Sequence, residues 1–145
     1  MIIERFDRHK TPDKNTLDNL ILFLHTHLEE FGDSQEDIRK AFDYAFSEEQ
    51  GKGGFILVGY EQNEVIGSVV LNQTGMNGYI PENILVYIAT HKDQRGKGFG
   101  KQLMQRAIDE TEGNIALHVE PNNPALFLYK KLGFENKYLE MRLEK

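Results

Sequence analysis

Between Asp93 and Lys101 the chain reads Asp93-Gln94-Arg95-Gly96-Lys97-Gly98-Phe99-Gly100-Lys101, a glycine at every second position with basic residues between and beside them. Alternating glycines let the backbone curl so that successive amide N–H groups point into one concavity, which side chains there would obstruct. Such a nest binds anions. The turn also opens a helix-patterned segment, Lys101 to Glu112, so unpaired first-turn amides and the positive end of the helix dipole add to the attraction. Arg95, Lys97 and Lys101 supply whole charges, and the expected ligand is a phosphate or pyrophosphate. The common nucleotide motifs do not fit. A dinucleotide fingerprint needs its third glycine where Lys101 stands, and Arg95 and Gln102 break the ATP-type phosphate loop at its two ends.

Other chemistries are excluded by composition. There is no cysteine, so disulfides, thiolate nucleophiles and Cys-ligated zinc are unavailable. His25 and His27 lie two apart on a predicted helix and point in different directions, so they form no metal pair and are expected to be ordinary helix residues. No metal is expected. A net charge of -6 argues against nucleic acid, whose binding rests on cationic contacts to phosphate. An acidic surface tolerates a cationic substrate, or simply serves solubility. Met1 to Phe6 leads directly into charged residues without a signal-peptide pattern, and no apolar run approaches a membrane span; a soluble, cytoplasmic protein without a membrane partner is expected. At 145 residues the chain is expected to form one domain, 1–145, with a sizeable core.

The elements that must position the glycine turn follow from periodicity. Ile2 to Phe6 is short and strand-like. Thr11-Pro12 predicts an N-cap and first-position proline for a helix carrying Leu17, Leu20, Ile21, Leu24, Leu28 and Phe31, ending near Gly32. Ser34 offers the cap of a second helix with Ile38, Ala41, Phe42 and Ala45. Phe55 to Tyr60 and Val65 to Leu71 predict an antiparallel hairpin, and Asn72 to Pro81 a connecting loop. Ile84 to Ala89 reads as a central strand covered on both faces, delivering the glycine turn. Leu103, Met104, Ala107 and Ile108 then give the next helix a core-facing side. Ile115 to Val119 follows as a strand, parallel to the central one because a crossover intervenes. Asn122 and Asn123 before Pro124 predict the cap of a last helix, closed by Gly133, and the alternation of Leu139, Met141 and Leu143 predicts a final half-buried or edge strand over Tyr138 to Leu143. The expected order is β-α-α-β-β-β-α-β-α-β.

Several motifs stand in sequence over residues 84 to 134: the apolar strand, Gln94-Arg95-Gly96-Lys97-Gly98-Phe99-Gly100, Leu117-His118-Val119-Glu120-Pro121, Asn123-Pro124-Ala125, and Leu128-Tyr129-Lys130-Lys131-Leu132-Gly133-Phe134. Together they resemble the GNAT superfamily of N-acetyltransferases, and the remaining elements fall in that family's order. The resemblance implies an α/β (α+β) fold with a mixed, centrally splayed sheet flanked by helices. It implies transfer of an acetyl group from acetyl-CoA to a primary amine by direct attack in a ternary complex. The alternative is a catalytically silent acyl-CoA-binding sensor or interaction domain.

The cofactor-binding residues implied are Ile88, Ala89 and Thr90 on the central strand, Arg95 to Lys101 in the turn (Arg95, Gly96, Lys97, Gly98, Phe99, Gly100, Lys101), and Asn123. Unpaired backbone groups of a splayed strand would meet the amides of the pantetheine arm. Tyr129 is the implied general acid for the departing thiolate, with a core aromatic as the competing role. His118 is the first candidate general base, its ordinary pKa near 6.5 suiting that task; a solvent-facing or core histidine is the alternative, and Glu82 and Glu120 come after it. No acid lies within Ile84 to Ala89, where other family members carry a glutamate base. The acceptor, a small-molecule or peptide and protein amine, would be shaped by the first two helices, their connection with Glu29, Glu30 and Asp33, and the loop Asn72 to Pro81; the three acids would attract a cationic amine, or are solvated helix-end charges, and a homodimer is possible.

Overall fold

The computed structural model describes every residue from Met1 to Lys145. The β-branched and apolar runs form a sheet of five strands, β1 (Ile2–Phe6), β2 (Gly54–Glu61), β3 (Glu64–Gln73), β4 (Asn83–Thr90) and β5 (Ile115–Leu117), which lie side by side in chain order. All neighbours are antiparallel except β4 and β5, which are parallel as the crossover requires. The β2–β3 hairpin closes on Gln62 and Asn63, both with positive φ (52° and 68°), the pair of left-handed residues whose twist matches the strands they join.

Four helices cover the two faces: α1 (Lys14–Leu28) and α2 (Gln35–Phe46) on one, α3 (Phe99–Asp109) and α4 (Ala125–Lys131) on the other. Strand alternation sorts the core accordingly. Ile56, Val58 and Val70 pack with Leu20, Ile21, Leu24 and Phe42, whereas Leu57, Val69 and Leu71 pack with Leu103, Met104 and Ala107. Because both faces are buried, the central strands are apolar over consecutive positions rather than at alternate ones, with Ser68 a buried exception whose hydroxyl donates to the Leu57 carbonyl.

Local chemistry corrects two expected boundaries and bears out a third. The N-cap of α1 is Asp13, not Thr11; its carboxylate accepts the Thr16 N–H at 2.8 Å, and that bond holds its pKa below the usual carboxylate range, while Pro12 stands outside the helix. Helix α1 stops at Leu28 and tightens into a short 3₁₀ turn, Glu29–Phe31. Gly32 has an ordinary φ of -97°, and its missing side chain makes room for Leu28, whose Cβ would lie 2.6 Å from an added one. Ser34 caps α2 as expected, accepting the Asp37 N–H.

The final strand does not form. Tyr138 to Leu143 is irregular and solvent-exposed, with Leu139, Met141 and Leu143 each more than four-fifths accessible. Alternation shows that a segment can bury one face, but burial needs a neighbouring strand. The nearest edge in the sheet order, β5, is only three residues long and ends at Leu117 rather than the expected Val119. Glu140 and Arg142 pair with each other instead. The observed order is therefore β-α-α-β-β-β-α-β-α.

Candidate active site

Strand β4 carries an irregularity that the sequence does not announce. Val70 of β3 faces Tyr87 and the next residue, Leu71, faces Leu85, so Val86 has no counterpart and forms a bulge. The extra residue changes the phase of the side chains. Leu85 packs on the α3/α4 side, Val86 and Tyr87 both pack on the α1/α2 side, and Ile88 returns to the α3/α4 side. Pairing with β5 covers only Asn83, Ile84 and Leu85, stopping one residue before the bulge. A bulge bends and twists its strand, which turns β4 away from β5. From Val86 to Thr90 the edge of β4 opposite β3 has no strand beside it; Ala89, like His91, turns its N–H and C=O toward β3, and Ile88 and Thr90 turn theirs to the open edge.

The glycine turn begins just beyond this edge. Gly96 and Gly98 have φ of 79° and 84°, and a Cβ at either would meet nothing within 4 Å, so backbone angle and not crowding requires glycine at both. Gly98 is the N-cap of α3, and the backbone N–H groups from Gly96 to Lys101 donate to no group of the protein. Gly100 serves differently. A Cβ there would lie 3.3 Å from Thr90 Oγ1 and 3.6 Å from Leu128 Cδ2, so its role is close passage of α3 against β4 and α4. Lys97 Nζ donates to Gln94 Oε1 at 2.9 Å.

Arg95 is turned elsewhere. Its guanidinium donates to Glu29 Oε1 at 3.0 Å and to the His27 carbonyl at 2.8 Å, so it caps the C-terminus of α1 and neutralises Glu29. His27 strengthens the same junction. Its ring lies 4.2 Å from that of His91 and 4.6 Å from that of Phe23, and its Nδ1 accepts the Lys92 N–H. This histidine was expected to be an ordinary helix residue; it instead docks α1 on the approach to the glycine turn, a partnership between distant parts of the chain that periodicity cannot reveal.

Burial, then the neighbouring His91, Arg95 and Lys92, lower the His27 pKa from its ordinary 6.5. The sign follows by linkage. At pH above about 6.5 the ring is neutral in folded and unfolded chains alike; as pH falls from there toward the folded value, the unfolded chain binds the proton first and stability declines. Thermal unfolding measured between about pH 7.5 and 5.5 should therefore show a larger loss for the native protein than for His27→Gln.

Tyr129 is 6 % exposed, in the α3/α4 cluster that also contains Leu85, and stands edge-on to Phe134. Its hydroxyl has no hydrogen-bond partner within the protein, and burial alone pushes its pKa up to about 12. His118 is exposed and stands one residue past β5, where that strand has left β4. Asn123 Oδ1 accepts the Ala125 N–H at the start of α4, although the N-cap position itself falls on Pro124 rather than on the expected asparagine, one residue later than the sequence suggests. Glu120 is exposed, its carbonyl accepting the Asn123 N–H. Glu82 is spent structurally: its carboxylate accepts the Asn114 and Gly78 N–H groups, which hold its pKa below the usual range, and it precedes β4 at the end away from the glycine turn. Two polar surface hollows of about 320 and 250 Å³, sharing Arg5 and Gln73, also lie near that far end, and neither includes a residue of the turn or of the open edge.

A bulged central strand, parted from its parallel neighbour, thus leads into a helix start with unpartnered N–H groups, and the class this belongs to is given by the family it matches. Residues 18–134 match the family model described as the Acetyltransferase (GNAT) family, and the chain belongs to that family. No curated protein sequence matches it significantly. Among solved structures, the aminoglycoside antibiotic 6'-N-acetyltransferase from Acinetobacter haemolyticus is similar with TM-score 0.70 and 15 % identity, covering 100 % of this chain and 98 % of that one. The NatC complex bound to Gag peptide and CoA gives 0.69 and 21 %, over 92 % of this chain and 84 % of that one. The ribosomal-protein-alanine N-acetyltransferase from Brucella melitensis gives 0.67 and 14 %, over 100 % and 99 %. These likenesses show the shared fold. No helix is long and apolar enough to cross a membrane.

Proposed function

We propose that this protein transfers an acetyl group from acetyl-CoA to a primary amine by direct attack in a ternary complex. The observation that carries the proposal is the conjunction of the free edge of β4 with the unpartnered N–H groups of Gly96 to Lys101. The free N–H and C=O groups of Ile88 and Thr90, on either side of Ala89, suit an amide-bearing arm, and the turn suits a pyrophosphate. Lys97 and Lys101 add charge there, while Arg95 positions the turn from α1. Asn123 lies at the start of α4 and completes the proposed cofactor set.

In the reaction the amine nitrogen bonds to the thioester carbonyl carbon, the C–S bond breaks, and the nitrogen gives up a proton. His118 stands beside the opening to receive that proton, directly or through water. Of the expected pair Ile88 and Ala89, the Ile88 N–H faces the open edge and would stabilise the carbonyl oxygen as charge develops on it. Tyr129 would meet the leaving sulfur. With its pKa raised to about 12, the phenol is a stronger hydrogen-bond donor to the thiolate than a net proton source, because an ordinary thiol titrates near 8.5.

Ligand-dependent unfolding tests the proposal. Acetyl-CoA at a hundredfold excess over its dissociation constant should stabilise the fold by about 2.7 kcal/mol, and equal concentrations of NAD and ATP should do much less. Equal shifts from all three would overturn the assignment. Release of CoA in the presence of a panel of amines and peptides then distinguishes a transferase from a domain that only binds the donor.

A further inference from the structure

We infer that Asp33, presented by Tyr87, is the group that receives the acceptor, and that the acceptor is consequently an amine that arrives as a cation. The inference rests on the acetyl-transfer reading of the same cleft and deepens it by assigning a substrate class and the residue that selects it.

The bulge at Val86 is the starting point. It turns Tyr87 to the α1/α2 side of the sheet, two residues beyond the last pair that joins β4 to β5. The Tyr87 ring is buried, and its hydroxyl donates to Asp33 Oδ2 at 2.5 Å. Burial first, and then the carboxylate beside it, push the phenol well above its usual range, so the proton stays on Tyr87 and the charge on Asp33. A second tie, from His25 Nδ1 to the Asp33 carbonyl at 3.0 Å, fixes the backbone.

What remains free is the other carboxylate oxygen. Asp33 is solvent-exposed, and its side chain makes no ion pair and no hydrogen bond beyond that from Tyr87. The neighbouring acids differ. Glu29 is neutralised by Arg95, and Glu30 is exposed with no partner to fix it. Asp33 alone of the three combines a fixed position with an unneutralised charge, the arrangement that gains most from a charge-assisted hydrogen bond to an ammonium group, because no rearrangement precedes binding. Arg142, whose pKa is raised chiefly by its partner Glu140, is also close enough to feel Asp33, yet makes no ion pair with it.

The test separates charge from tether. In Asp33→Asn the amide oxygen can still accept the Tyr87 hydroxyl, so only the charge is lost; in Tyr87→Phe the charge stays and the tether is lost. Initial rates of CoA release would be measured with 1,5-diaminopentane, spermidine and a short peptide with a free α-amine as cationic acceptors, and with aniline as an acceptor uncharged at neutral pH. The native protein should use cationic acceptors. Asp33→Asn should raise KM for them tenfold or more, with melting temperature, acetyl-CoA affinity and kcat within about twofold, and Tyr87→Phe should raise KM less while lowering the melting temperature. Unchanged KM in Asp33→Asn, use of aniline alone, or failure to use any cationic acceptor would each overturn the inference. Acetyl-CoA affinity, measured by calorimetry on the same samples, keeps the two readings apart: if it is intact, only the present inference fails, whereas its absence in the native protein removes the proposed function itself.

Discussion

Tyr129→Phe is expected to lower turnover by roughly 10²-fold or more, the scale of a positioned proton or hydrogen-bond donor, while leaving fold and acetyl-CoA affinity nearly unchanged. The structure makes this substitution unusually clean. The ring is buried against the α3/α4 cluster and Phe134, and phenylalanine retains that packing. The hydroxyl has no partner within the protein, so its removal orphans no other group, and a melting temperature equal to or slightly above the native value is expected. With the ring buried and the hydroxyl unpartnered but accessible, a ligand can reach the hydroxyl and supply the partner. Single-turnover rates, which isolate the chemical step from product release, are the measurement that decides; an unchanged single-turnover rate would return Tyr129 to the core.

Gly98→Val should weaken acetyl-CoA binding at least tenfold. The cause is conformational. At φ 84° a β-branched residue is held in the left-handed region at a cost of roughly 1–2 kcal/mol or more, and relief of that strain turns the neighbouring N–H groups out of the nest. Gly78 supplies the matching control. It has φ 81° and equally open surroundings, but lies in the β3–β4 loop away from the turn. Gly78→Val should therefore lose a similar amount of thermal stability while binding acetyl-CoA normally. Calorimetry on both variants separates backbone strain from lost recognition, and equal affinities would reduce the glycine turn to a plain strand-to-helix connection.

These two expectations differ in how much of their basis was legible beforehand. The glycine spacing, the apolar strand before it and the helical period after it are local patterns, and local patterns are what a sequence states directly. The motif around Tyr129 was legible only as a resemblance, since Leu132 and Ala125 at helical spacing suit a core aromatic equally well. Burial of the ring bears out the packing, and the unpartnered hydroxyl is an observation that spacing never offers.

Arg95 shows the opposite outcome. Basic residues beside glycines suggest a phosphate ligand, but the guanidinium goes to Glu29 and the His27 carbonyl, because the fold places the end of α1 beside it. Glu82 likewise looks like a free acid in sequence and is bound by two backbone N–H groups in space. The missing last strand has the same origin. Its alternation was real, yet pairing depends on an available neighbour, and β5 ends too early to provide one.

By itself the sequence determined the succession of elements from β1 to α4, the two-sided burial of the central strands and the position of the glycine turn, because these follow from side-chain period and glycine placement along contiguous residues. Only the tertiary structure decided the bulge at Val86, the parting of β4 from β5 at Leu85 and Leu117, and the bond between Tyr87 and Asp33. Each depends on which residue of one strand or loop faces which residue of another. That register is set by the packing of the whole sheet against its helices, and no local pattern encodes it.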